Sequence, residues 1–415
     1  MSLPQHSQAL DLEEALTAIR QQLRAPSTYE TCELKDAFGR VVATPIHAAL
    51  SLPPFAASAM DGFAVRQQDI VATADYSLRQ VGTSLAGHPY TGVVAPGECV
   101  RVFTGAAIPS GSDLVVVQEN VIEQTLDRIT FLPHTSAEHH IRDIGNDVTK
   151  GQCLATPGER ISPFMLGQLA AAGIGKVDVF PRVRVGIFSS GDELRDPGTP
   201  VQDLAYGQIF DANRITLAKL LDDLPVQCID LGCLPDDPNK IDSALQRAAS
   251  ECDVLITSGG VSVGDADYIV ERIRQQGELQ FWRLNLKPGK PLAFGRIQSS
   301  WILGLPGNPI STIITALLVA RPAIAQLAGT DLPAPLRINA TLKHPIVHSP
   351  GRTEYQRGQF EADQTGYTVT HTGDQGSNRL SSFRNANCLI EIDKSRGDVA
   401  IGEEILILPL TNLLH

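Results

Sequence analysis

Asp253-Val-Leu-Ile-Thr-Ser-Gly-Gly-Val-Ser-Val-Gly-Asp-Ala-Asp-Tyr268 reads as a buried strand that breaks into a glycine-rich turn and then enters a helix. Val254, Leu255 and Ile256 form the unbroken apolar run of a parallel strand covered on both faces. Gly259 and Gly260 let backbone amides approach an anion, and the helix that follows turns its positive end toward it. Thr257, Ser258 and Ser262 add hydroxyls. Asp265 and Asp267 carry the wrong charge for a bare phosphate site, which points to a hard cation such as Mg²⁺ between carboxylate and ligand. Taken alone, the segment is equally compatible with a plain strand-to-helix turn capped by an aspartate.

Working outward, residues 182–330 alternate strand and helix as a doubly wound α/β sheet does. Val183 to Phe188, Gln227 to Leu231, Val254 to Ile256 and Ile302 to Leu305 read as strands of one parallel sheet. Asn213 to Leu221, Asn239 to Ala249, Tyr268 to Gln276 and Ile310 to Leu327 carry helical periodicity. Such sheets bind ligands beyond the carboxyl ends of their strands. Ser189-Ser-Gly-Asp-Glu193, Leu234-Pro-Asp-Asp237, the 257–267 turn and Gly304-Leu-Pro-Gly-Asn-Pro309 all fall there, so one cleft is expected to collect them.

The chain of 415 residues is too long for one ordinary core. Residues 45–146 show short apolar runs separated by Gly, Pro and Asp and read as a β lobe. That lobe interrupts a helical linker domain made of residues 1–44 and 147–181. After Thr330-Asp-Leu-Pro-Ala-Pro335, residues 331–415 alternate in period two and read as a second β domain.

A net charge of -12 argues against broad binding to nucleic acid or to anionic membrane. Any anionic ligand must therefore meet a local basic cluster. Seven scattered cysteines, with no C-x-x-C pair and no histidine at metal-ligand spacing, argue against a zinc site or a disulfide framework. The amphipathic N-terminal segment is not a signal peptide, and Ile310 to Leu327 is too interrupted to span a bilayer, so a cytoplasmic protein is expected.

Lys287-Pro-Gly-Lys-Pro291 holds two ammonium groups in a stiff turn, which suits an oxyanion, and Arg283 adds a third cation; a solvated charged turn is the competing reading. Asp192 and Glu193 are costly at the end of a buried strand unless a cation compensates them. Gly304-Leu-Pro-Gly-Asn-Pro309 offers free amides at Gly307 and Asn308. Ser58-Ala-Met-Asp-Gly-Phe63 and Thr104-Gly-Ala-Ala107 read as turns, while Tyr355-Gln-Arg-Gly358 and Gln375-Gly-Ser-Asn378 place Arg357 and Ser377 where they suit an anion.

With Pro54 to Val65, Thr104-Gly-Ala-Ala107, Asp143 to Asp147, Ser190 to Leu194, Thr257 to Tyr268, Lys287 to Pro291 and Gly304 to Pro309 in this order, the chain resembles the molybdopterin molybdenumtransferase family. This is the MoeA type, related to the corresponding domains of gephyrin. The resemblance implies a multidomain α/β plus β protein with a three-layer molybdopterin-binding domain, two β domains and a helical linker domain. It implies a homodimer whose cleft joins the α/β domain of one subunit to the β lobe of the other. The implied reaction converts adenylylated molybdopterin and molybdate into molybdenum cofactor and AMP, with Mg²⁺ required.

By the same resemblance Asp61, Thr104, Glu193, Asp236, Asp267 and Lys287 act in catalysis, and Glu193, Asp236 and Asp267 hold the metal. Asp147, Thr257, Ser258, Gly259, Gly260, Ser262, Arg283, Lys290, Pro306, Pro309, Arg357 and Ser377 complete the binding set. Arg283 stands where family members often carry lysine, and Asp265 where glutamate is common. The alternatives are a molybdopterin adenylyltransferase, which shares the α/β domain, and a non-catalytic scaffold of the same architecture; an adenylyltransferase is also a candidate partner.

Overall fold

The computed structural model describes residues 9–133, 138–261, 268–364 and 366–414. Its centre is a six-stranded sheet formed by β1 (Val183–Ser190), β2 (Val226–Leu234), β3 (Val254–Ser258), β4 (Gly277–Arg283), β5 (Pro291–Ile297) and β6 (Ser300–Leu305). The spatial order is β2-β1-β3-β6-β5-β4. β2, β1, β3 and β6 run parallel, whereas β5 and β4 pair antiparallel at one edge. The sheet is therefore mixed rather than wholly parallel. Phe281-Trp-Arg-Leu-Asn-Leu286 and Pro291-Leu-Ala-Phe294 flank the lysine turn as the arms of a bulged hairpin, and two register shifts hide its alternation in the sequence.

Helices cover both faces of this sheet. Besides the N-terminal α1 (Leu12–Gln22) and α2 (Pro163–Ala171), they are α3 (Asn213–Leu220), α4 (Pro238–Glu251), α5 (Tyr268–Gln276) and α6 (Pro309–Leu327), whose middle, Ala316–Ala320, is a π turn. α4 starts where Asp237 accepts the amides of Asn239 and Lys240, with Pro238 in the first helical position, where a missing N–H costs nothing. α6 is long and apolar enough to suit a membrane span by composition, yet 83% of that stretch is buried inside the protein. Its Ile310, Ile314, Val319 and Ile324 join Val185, Ile256 and Leu303 in one core. Arg321 in α6 is 1% exposed and forks onto Asp223, with Leu220 O as a further acceptor. Loss of one partner from such a buried pair costs roughly 3–5 kcal/mol.

The flanking units follow from period-two patterning. Residues 45–146 hold a sheet in the order Leu114–Val117, Gly62–Val65, Glu98–Val102, Tyr76–Ser84, Arg128–Phe131, Val121–Gln124, packed around Phe63, Tyr76 and Phe131. In the C-terminal unit Thr353–Asp363 pairs with both Gly366–His371 and Cys388–Ile392, which closes the strands into a small barrel. α2 packs with Val42, Val177 and Val179. α1 does not share that core: Ala15, Ile19 and Leu23 pack with the α6 side of the central sheet. We propose the domain boundaries at 44/45, 146/147, 181/182 and 330/331, with α1 attached to the α/β unit because its apolar face is buried there.

Candidate functional site

The carboxyl ends of β1, β2, β3 and β6 surround an open cavity of about 580 Å³. Glu193, Asp236, Asn213, Gly260, Asn308 and Asn378 are among the residues that line it. A smaller cavity of about 150 Å³ between α1, α6 and residues 332–335 contains none of the candidate residues.

Close approach of two strand ends shapes the floor. Gly259 has φ +99°, and a Cβ there would lie 2.8 Å from Ser190 O, so only glycine fits. Its N–H donates to Leu305 O at 3.1 Å, which removes it from the amides open to an anion. Thr257 is fully buried, and its hydroxyl donates to Gly259 O at 3.2 Å, so it supports the turn from beneath rather than facing a ligand. Ser258 is held by Asn213, whose Nδ2 donates to Ser258 Oγ and to Gly307 O, each at 2.7 Å. Pro306 O accepts from Thr312 Oγ1 at 2.5 Å, and Pro309 opens α6. The N-terminal end of this long helix thus meets the cavity, which Pro306, Gly307, Asn308 and Pro309 line.

Two carboxylates enter from the sides. Glu193 follows β1 and Asp236 follows β2; both are exposed and line the cavity. Neither has an ion-pair partner among the described residues. Their loops are tied together: Gly191 N donates to Leu234 O at 3.1 Å, and Asp236 N to Asp192 Oδ1 at 3.2 Å. Ser262, Asp265 and Asp267 lie outside the described residues. Among the described residues no group of three or more His, Cys, Asp or Glu is arranged to hold a metal.

The barrel contributes the rim. Ser377 O accepts the Ile310 N–H at 3.1 Å, which seats the 374–378 loop on the start of α6 and brings Asn378 to the cavity. Arg357 does not face an anion here. It is fully buried, with Nε donating to Ser382 Oγ at 2.9 Å, Nη1 to Gln375 O at 3.3 Å and Nη2 to Gly376 O at 3.1 Å. Burial brings its pKa down to about 10. Arg357 therefore shapes the loop that carries Ser377.

The remaining cations do not line the cavity. Lys287 Nζ pairs with the buried Glu354 of the barrel at 2.9 Å, and its short strand Leu286–Lys287 adds in parallel to Thr353 and Glu354. Lys290 is exposed beside it. Arg283 lies with Cζ 4.5 Å from the centre of the Trp282 ring.

In the lobe, Asp61 Oδ1 accepts both the backbone N–H and the hydroxyl of Thr104, each at 2.8 Å. The backbone N–H is the main reason that its pKa is lowered. Asp147 is exposed, and its N–H donates to Leu52 O at 2.9 Å. None of these three residues lines the cavity of its own chain. The candidates thus fall into a cavity, a lysine turn at the barrel and a lobe turn. Sequence reasoning missed Asn213 and Asn378. Phe210-Asp-Ala-Asn213, an Asp-x-Asn at the start of a helix, was the available signal for the first.

Comparison with known proteins gives a consistent picture. Residues 10–173 match the MoeA N-terminal region (domain I and II), 186–326 the probable molybdopterin binding domain, and 339–410 the MoeA C-terminal region (domain IV). The chain is 38% identical to a Haemophilus influenzae protein named molybdopterin molybdenumtransferase, over 98% of this chain and 100% of that one. It is 31% identical to molybdopterin molybdenumtransferase 2 of Mycobacterium tuberculosis, over 92% and 95% of the two chains. A crystal structure of the molybdopterin biosynthesis moeA protein of Pyrococcus horikoshii superposes with a TM-score of 0.82 at 28% identity, covering 97% of this chain and 100% of that one.

Proposed function

The chain belongs to the molybdopterin molybdenumtransferase family, and from that premise we propose how its cavity serves the transfer. It is a transferase of molybdenum cofactor biosynthesis, with molybdate and a molybdopterin species as substrates. We infer that adenylylated molybdopterin lies across the carboxyl ends of β1, β3 and β6. The amides of Gly307, Asn308 and Gly260 would face its phosphates, and the rigid Pro306 to Pro309 turn would exclude water from one side.

The donor set fits Mg²⁺. That ion takes one or two carboxylates and keeps water and substrate phosphate as its other ligands, and Glu193 and Asp236 are two carboxylates on an open cavity without an ion-pair partner among the described residues. Bound there, Mg²⁺ would neutralise charge on the phosphoryl oxygens. Asp267, by its place in the sequence, is the candidate third carboxylate. Asn213 holds Ser258 and Gly307 at fixed spacing, so the floor is ready before substrate arrives.

The Asp61 and Thr104 pair does not line the cavity of its own chain; in a two-fold dimer in which one copy's lobe covers the other's cavity, it would reach the substrate bound there. Lys287 and Lys290 would reach substrate from the barrel side once the pairing with Glu354 is exchanged for an anion.

The observation that carries this reading is the convergence of Glu193, Asp236, Gly260 and the Pro306 to Pro309 turn on one cavity. Purified protein mixed with adenylylated molybdopterin should release AMP only when both molybdate and Mg²⁺ are present. Consumption of ATP in a parallel mixture of molybdopterin and ATP would mark an adenylyltransferase, and no turnover in either mixture a scaffold.

A further inference from the structure

Arg214, in the first turn of α3, is buried and lies outside the cavity lining, yet its guanidinium meets three carboxylates from three segments. Nη2 bonds Asp196, Nε lies 3.0 Å from Asp211 Oδ2, and Nη1 lies 3.2 Å from Asp230 Oδ1. Asp196 and Asp211 flank the ribbon in which Leu194–Arg195 pairs with Ile209–Phe210. Glu193 is the residue just before that ribbon, and its carbonyl accepts the Ile209 N–H at 2.8 Å.

Asp230 marks the place where β2 bulges against β1. It accepts the Gly232 N–H at 2.9 Å, and a Cβ on Gly232 would lie 3.5 Å from Arg214 Nη1. From that bulge the chain runs to Asp236. Asp211 Oδ1 also accepts the amides of Asn213 at 2.9 Å and Arg214 at 3.3 Å, which fixes the start of α3. One fork-shaped cation thus grips the roots of both segments that carry the cavity's acids.

We propose that Arg214 is a positioning residue that sets the separation of Glu193 and Asp236 across the cavity. The inference rests on the reading that these two carboxylates hold the divalent cation. Lysine keeps the charge but cannot address three carboxylates with fixed geometry. Two of the partners, Asp196 and Asp230, have side chains 67% and 71% exposed, so their removal leaves the core packing intact. Fixing a ligand's orientation from behind is typically a 10–100-fold effect on metal affinity.

The test compares wild type with Arg214→Met, Arg214→Lys and Asp196→Asn in three measurements. Hydrogen exchange should speed up about tenfold across residues 191–212 and 230–236, while β3 stays protected. Mn²⁺ binding, read by electron paramagnetic resonance with AMP present, should weaken about tenfold. The half-saturating Mg²⁺ concentration for AMP release should rise by the same factor, with a much smaller fall in kcat, and Arg214→Lys should lie between wild type and Arg214→Met.

Faster exchange with unchanged Mn²⁺ and Mg²⁺ dependence would make Arg214 a purely structural residue, and unchanged exchange would overturn the proposal outright. Should Arg214→Met fail to fold, Asp196→Asn decides the matter. Wild-type turnover without any divalent ion, with no Mn²⁺ bound, would instead sink the metal reading of the site; exchange would still report whether Arg214 fixes the two acid-bearing segments.

Discussion

At the scale of single residues, what counts is where each charge finds its partner. Asp61 is held by two donors from Thr104 and, among the described residues, by no hydrogen-bonded cation. Its lowered pKa, caused first by the Thr104 backbone N–H, keeps it ionised throughout the neutral range. Because the folded value lies below the unfolded one, the contact's contribution is complete above the unfolded pKa and fades as the pH drops through the folded value. Asp61→Ala should lower kcat about 100-fold or more, with the melting temperature almost unmoved. Asp61→Asn should keep the Thr104 contact and still lose activity. A variant that retains full turnover would remove this turn from the site. Arg357 shows the opposite fate: its guanidinium is used up on loop carbonyls and Ser382, so its role is to shape rather than to bind.

Among the elements, strands decide which side chains are inert. Cys99 and Cys388 point to the core faces of their strands, and burial pushes both thiols up to about 12, with Cys233 up to about 11. Cys32, Cys228 and Cys252 are raised for the same reason, whereas Cys153 is exposed. A thiol reagent at pH 8 should therefore label one cysteine quickly in the folded protein and all seven in urea. Rapid labelling of two or more would contradict the packing. The strands of the α/β unit were legible because an unbroken apolar run followed by glycine has few other uses, as in Val254 to Gly260. The antiparallel pairing of β4 with β5 was not, since its bulges break the two-residue period and the two strands come into register only through a turn of prolines.

On the scale of the whole molecule, the lobe turn is not among the described residues that line the cavity of its own chain, and the proposed dimer makes a quantitative prediction. Asp61→Ala and Glu193→Ala proteins should each be inactive alone. Unfolded together and refolded, half of the dimers are mixed, and each mixed dimer holds one intact site of two, so about a quarter of wild-type activity should return. No recovery would mean that each chain builds its site alone. By itself the sequence determined the order of the parallel strands and their helices, and with it the end of the sheet where Glu193, Asp236 and the Gly259 turn collect. Periodicity and glycine placement are local properties, and the doubly wound topology turns them into a position. Only the tertiary structure decided that Lys287 rests on Glu354, that Arg357 faces inward and that Asn213 and Arg214 organise the floor and walls. A charged side chain's role depends on which desolvated partner it meets, and those partners come from segments tens of residues away whose approach no local pattern records.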